Sequence, residues 1–202
     1  MKNSHKLTVF LIPIGIAVNF ICGQIVLLLK LPMYLDSIGT ITIGALCGGV
    51  AGAIVGAITN LLISISNPTT MAYMILNIIF GLLAGFLAKR GVLNSLWKTV
   101  IAGIVFGLIG GGLGSRITVW LFGGLGAGTT GAITGVLMQM GFSASMGALI
   151  SELFADIIDK VPTLIIVYFI LKSIPARTLV KLPQGNMFIK RKGEPKEGQK
   201  VV

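Results

Sequence analysis

The most restrictive feature of this chain is a run of 23 residues, Leu7 to Leu29, that holds no charged side chain. An α-helix of that length and composition spans the roughly 30 Å hydrocarbon core of a bilayer. The run is longer than the apolar region of a secretory signal and ends without a small-x-small cleavage site, so it reads as a retained membrane helix. Composition points the same way. Hydrophobic residues make up 54% of the 202, and charged residues 11%, against about 25% charged in soluble domains. A soluble globular domain is excluded.

Charge and turn chemistry divide the rest. The segment Lys30-Leu-Pro-Met-Tyr-Leu-Asp36-Ser37 carries both signs of charge and a proline, and belongs outside the hydrocarbon. Ile38 to Ile63 is apolar for 26 residues and crosses either as one tilted span or as two short helices hinged at Gly48-Gly49. Further spans are expected over Met71–Ala88 and Thr99–Phe122, followed by a Gly-rich apolar stretch from Gly123 to Ile150 and a last helix ending near Leu171. Turn clusters at Ser64–Thr70 and Lys89–Lys98 separate the earlier spans.

The cations choose among topologies. With six crossings, the 38–63 stretch counting as two, Lys2, Lys6, Lys89, Arg90, Lys98, Lys172, Arg177, Lys181, Lys190, Arg191, Lys192, Lys196 and Lys200 share one side, 13 of the 16 Lys and Arg. Cytoplasmic loops carry such an excess, so both termini are expected inside. The expected fold is an all-α integral membrane six-helix bundle over residues 1–178, with a basic, disordered cytoplasmic tail over 179–202.

Polar residues then collect on the outer side. Asp36, Arg116, Glu152, Asp156 and Asp159 are functional candidates, because an unpaired ionisable group at membrane depth costs several kcal/mol. The plainer alternative puts Asp159 and Lys160 in an interfacial turn and Glu152 with Asp156 on a solvated helix face. Small residues recur every fourth position at Gly48, Gly52 and Gly56, at Ala45, Gly49, Ala53 and Ala57, and at Gly81, Gly85, Gly103, Gly107 and Gly111. Such faces let another helix approach its backbone, either within the bundle or from a separate membrane subunit.

Several chemistries are not encoded. There is no GxxxxGK[ST] for a P-loop, and the single histidine, His5, lies on the N-terminal tail, which rules out HExxH and an internal Ser-His-Asp triad. Cys22 and Cys47 have no CxxC spacing and read as small buried residues, with no metal site or disulfide. Gly126–Gly131 matches GxGxxG and Glu152 follows 21 residues after Gly131, but no strand precedes the glycines, so they read as backbone of an outer lid. No enzymatic activity, cofactor or nucleic-acid partner is expected.

Leu31-Pro-Met-Tyr-Leu-Asp36-Ser-Ile-Gly39-Thr40, with Gly44 to Gly56 and Asn60, resembles the loop and paired short helices of the S components of energy-coupling factor (ECF) transporters. Asn77–Gly85 running to Lys89-Arg90-Gly91, and Asp159-Lys160 running to Pro175, are similar to that family as well, over about residues 7–178. Gly48-Gly49 stands where the family usually has Gly-Pro. The resemblance implies high-affinity capture of a vitamin or related micronutrient from outside. It also implies a membrane coupling subunit and two cytoplasmic ATPases as partners in the cell membrane. The family's small-residue docking face corresponds here to Gly15, Asn19 and Gly23, with Ala45, Gly49 and Ala53 as a second surface.

A polar vitamin needs a few oriented hydrogen-bonding groups between apolar walls. Tyr34, Asp36, Thr40, Asn60, Asn67, Tyr73, Asn77, Arg116, Trp120, Gln139 and Glu152 are able to supply them, with Tyr34, Asp36, Asn67 and Trp120 foremost. Two alternatives stand beside this reading. One is a self-sufficient ion- or proton-coupled carrier, which calls for a carboxylate inside the bundle. The other is a structural or sensory membrane module whose basic tail meets anionic lipid or a cytoplasmic partner.

Overall fold

The computed structural model describes residues 2–29, 31, 33–126 and 128–189, with side chains from Lys6 onward. It is 83% helix, with no strand among the described residues. The helices are α1 (Lys2–Leu29), α2 (Ile38–Cys47), α3 (Gly49–Ile63), α4 (Met74–Lys89), α5 (Leu96–Phe122), α6 (Thr129–Gln139), α7 (Ala144–Ser173) and α8 (Ala176–Leu179). Three are long and apolar enough to cross a membrane: Lys6–Leu29, Pro68–Lys89, in which a 3-10 turn leads into α4, and Leu96–Phe122. Large apolar side chains such as Phe10, Leu28, Trp97 and Phe154 point outward. Such an apolar exterior is compatible with lipid contact and ill suited to water.

The break between α2 and α3 falls at Gly48, whose φ of +105° suits glycine alone. There the chain folds back on itself, and a Cβ on Gly52 would lie 2.6 Å from Gly44 Cα. The hinged pair anticipated for 38–63 is therefore present. Helices of 10 and 15 residues rise about 15 and 22 Å, less than the hydrocarbon thickness.

Glycine also sets the helix contacts. α4 lies on α2 and α3 through Gly81, whose added Cβ would strike the backbone of Gly52 and Ala53, and through Gly85, which meets Gly49. In α5, added Cβ atoms on Gly103, Gly107 and Gly111 would come within 2.9, 2.7 and 2.5 Å of the Cα atoms of Val161, Ile157 and Leu153. One partner number falls by four as the other rises by four, so α5 and α7 run antiparallel with main chain against main chain over about two turns.

We expect Gly107→Leu to destabilise the detergent-solubilised protein by about 1–3 kcal/mol, the usual cost of overpacking. Thermal unfolding checks this, and an unchanged midpoint would show that the seam is not tight.

The bundle has two parts. Helices α1 to α4 pack on one another, while α5 and α6 pack chiefly on α7. Phe80 of α4 stacks on Phe106 of α5 with ring centroids 5.4 Å apart, inside a core that includes Leu76, Leu164 and Val167. The segments 33–37, 64–73 and 128–143 lie at one end of the bundle, and Gly48, the 90–95 turn and residues 174–189 at the other.

Two expectations change. The segment 179–189 is folded: Gln184 N donates to Leu46 O (2.9 Å), Asn94 Nδ2 donates to Met187 O (2.8 Å), and Leu179 and Leu182 are buried. Its apolar leucines, not its lysine, decide where it sits. The remaining tail, with Lys190, Arg191, Lys192, Lys196 and Lys200, lies outside the described residues, as do Lys30 and the side chains of Lys2 and His5. Cys22 and Cys47, expected to be small buried residues, are only half-buried, since each sits at the margin of the apolar core rather than inside it.

Candidate functional site

A cavity of about 610 Å³ opens between the two parts of the bundle. Its walls come from the C-terminal end of α1, the 31–36 loop, the α3–α4 connection, α4, the start of α6 and the middle of α7. Of the residues expected to bind ligand, Tyr34, Asp36, Asn60, Asn67, Tyr73, Asn77 and Glu152 line it together. Chain positions as distant as 34 and 152 thus meet in one place.

Helix α7 supplies the floor. Glu152, Asp156 and Lys160 follow at intervals of four, so they stand one above another on a single face, and all three are buried. Asp159, one position round, is fully buried too. The solvated-face and interfacial-turn alternatives for these residues are therefore wrong: the face that carries the charges is turned into the protein.

Lys160 Nζ is hydrogen-bonded to the Asp159 carboxylate and donates to Ser37 Oγ (3.1 Å), with Asp156 Oδ1 at 3.9 Å. Asp159 Oδ1 accepts the backbone N–H groups of Tyr34 (2.8 Å) and Leu35 (2.7 Å). Leu35 has φ +47°, a left-handed conformation that is uncommon outside glycine, so the loop is pinned where its own preference is weak. Burial pushes the Asp36 carboxyl above its ordinary value, against the pull of Lys160 toward the charged form.

Glu152 is held from two elements. Thr118 Oγ1 of α5 donates to its Oε1 (3.0 Å) and Tyr34 OH to its Oε2 (3.4 Å). Tyr73 OH lies 2.6 Å from Thr118 Oγ1. Because the Thr118 proton is directed at Glu152, Tyr73 is the donor to Thr118. Gly110 and Gly114 of α5 face these carboxylates, and a Cβ on Gly110 would sit 2.7 Å from Asp156 Oδ1.

The amides form a second line. Asn60 Nδ2 donates to Thr70 O (2.8 Å), and Asn77 Nδ2 donates to Asn60 Oδ1 (2.6 Å). Asn67 Oδ1 accepts from Thr69 Oγ1 (2.6 Å) and so shapes the connection at the cavity rim.

Four expected residues lie elsewhere. Trp120 is 84% exposed, and Arg116 is exposed and donates to its own helix at Gly112 O (2.5 Å). Residues 116 and 120 are each two positions from Thr118, about 160° round the helix from the face that meets Glu152. Gln139 is exposed at the end of α6. Thr40 is fully buried, its hydroxyl accepting from Asn19 Nδ2 (2.8 Å).

The expected docking surfaces are occupied within the chain. Asn19 is buried in that cluster, Gly15 abuts Gly39 and Ile43, and Gly23 lines the cavity. Ala45 is fully buried, and Gly49 and Ala53 face α4. Close packing inside the bundle, the simpler of the two readings of these small residues, accounts for them. The sequence reading missed Lys160, which i, i+4 spacing from Glu152 and Asp156 places on the same face. It named Asp156 without placing it in the site.

Fold and site together define an all-helical protein with membrane-compatible spans around a largely apolar cavity that carries buried carboxylates and amides. No family model matches the chain, and neither curated proteins nor solved structures give a match.

Proposed function

We propose that this chain is a multi-pass protein of the cytoplasmic membrane that captures a small water-soluble micronutrient from outside and delivers it inward. In this reading it is the S component of an ECF-type transporter, not an enzyme. A membrane coupling subunit and two cytoplasmic ATPases supply the energy. Its six crossings are α1, α2, α3, α4, α5 and α7, with both termini in the cytoplasm.

The single observation that carries the reading is the cavity: about 610 Å³, within the 300–1,000 Å³ range of small-molecule sites. Its hydrogen-bonding groups come from segments far apart in sequence. The 31–37 and 64–73 segments at its rim would face outward in this topology. The Lys89, Arg90 and Lys98 cluster would face the cytoplasm, as the charge rule requires.

Thermal unfolding of the detergent-purified protein against a panel of vitamins and their precursors tests the proposal. A ligand that binds only the native state adds about 4 kcal/mol at a thousandfold excess over its Kd. One compound is expected to raise the midpoint clearly, and Trp120→Ala is expected to leave that shift intact. No shift across the panel from a folded sample would overturn the reading.

A second reading, a carrier that needs no ATPases, is favoured by the burial of Glu152 and Asp156 within the bundle. Uptake by vesicles containing this chain alone would decide for it.

A further inference from the structure

The cavity that the capture reading rests on has an unequal supply of charge. Asp36, Glu152 and Asp156 line it, and the one cation lining it among the described residues is Lys160. That lysine is already committed to Asp159 and Ser37, and approaches Asp156 no closer than 3.9 Å. Asp159 is satisfied in turn by Lys160 and two backbone N–H groups. Glu152 has Thr118 and Tyr34. Asp156 is 5% exposed and has no hydrogen-bond donor among the described residues.

The amide line independently asks for a hydrogen-bond donor. Thr70 O can only accept, so the Asn60 amide must turn its nitrogen to it and its oxygen to Asn77. Asn77 must then donate to Asn60, and its own oxygen is left over. Asn77 is 3% exposed, it lines the cavity, and its Oδ1 has no partner. A buried acceptor in that state calls for a donor from whatever fills the space beside it.

We infer that the cargo of this cavity is a small organic cation that carries N–H donors on a flat apolar body. The positive charge answers the carboxylates, and the N–H groups answer Asn77 Oδ1 and Asp156. Tyr34 and Tyr73 place aromatic rings in the same wall. Lys160 Nζ lies 4.8 Å from the Phe80 ring centroid and 5.9 Å from that of Tyr34, so both rings already stand in a cation's field. An anionic ligand would be brought against three carboxylates. A neutral ligand with acceptors only would leave Asn77 Oδ1 without its bond.

Matched sets of probes that differ only in charge test this: tryptamine, tryptophol and indole-3-acetate, then phenethylamine, phenethyl alcohol and phenylacetate. Equilibrium dialysis against the full-length protein in detergent gives each Kd. Within a set, the amine is expected to bind at least tenfold more tightly than the alcohol, and the carboxylate not to bind. Asp156→Asn, which keeps the side chain's size, is expected to bring amine and alcohol within threefold of each other. If alcohols or carboxylates bind as well as the amines, the inference falls while the capture reading stands. If none of the six binds and the vitamin panel also gives no shift, both fall. If none of the six binds but a neutral or anionic vitamin shifts the midpoint, the inference alone is overturned.

Discussion

Lys160→Met is expected to cost the protein about 3–5 kcal/mol of stability, the range found when one member of a buried ion pair is removed. Lys160 is 2% exposed and Asp159 fully buried. Without the ammonium group the Asp159 carboxylate loses its counter-charge, and Asp156 loses its nearest cation. The damage extends to the loop, because Asp159 holds the Tyr34 and Leu35 N–H groups and Lys160 holds the Ser37 hydroxyl. Leu35 keeps its left-handed backbone only while those bonds persist. Thermal unfolding in detergent measures the loss. The double variant Lys160→Met with Asp159→Asn should recover part of it, since asparagine retains an oxygen for the two N–H groups and removes the stranded charge. A single variant within about 1 kcal/mol of the parent would show that the pair does not hold the loop.

Asn19→Leu is expected to have the next largest effect. Ser37, which precedes α2, makes no capping bond with its side chain, and one of the unpaired N–H groups of that helix, Gly39 N, is instead bound by Asn19 Oδ1 from α1 (2.6 Å). The Asn19 Nδ2 donates to Thr40 Oγ1 of α2 (2.8 Å) and Thr59 Oγ1 of α3 (3.1 Å). One amide thus completes the start of a helix and joins three. Leucine matches its bulk and none of its bonds. Each buried group left without a partner costs about 1–3 kcal/mol, so a loss of at least about 2 kcal/mol is expected in the same unfolding measurement. A variant as stable as the parent would mean that water replaces the amide.

How much of this was legible in the sequence depended on whether the signal was local. The α2–α3 break was legible because paired glycines inside an apolar run leave few other sites for a turn. Helices α1, α4 and α5 were legible from hydropathy alone, whereas the start of α7 at Ala144 fell inside the stretch taken as Gly-rich. The choice of faces was not, because it depends on a partner that sequence does not name. The four-residue glycine rows of α5 announce a close contact, and only the fold supplies α7 as the contact. Once that row is taken as the inner face of α5, Thr118 falls on it and Arg116 and Trp120 fall opposite. An aromatic ring and a guanidinium drew attention by residue type, while a threonine seven positions beyond Gly111 did not. Of the α7 charges only Glu152 entered the expected binding set, for a similar reason. Four ionisable residues within nine positions look like a solvated face until the spacing is read together with a buried partner loop.

The glycine seam has a mechanical consequence. Where side chains separate two helices, their spacing gives as rotamers change; where main chain meets main chain, there is nothing soft to compress. Helices α5 and α7 therefore act as a single stiff beam, and Glu152, Asp156 and Lys160 are fixed points along it. The clasp to the 33–37 loop is made of polar bonds, which water or a ligand is able to replace one at a time. If the two parts of the molecule separate, the geometry of the acidic floor travels intact with the beam, and the bonds that break are those at its edge.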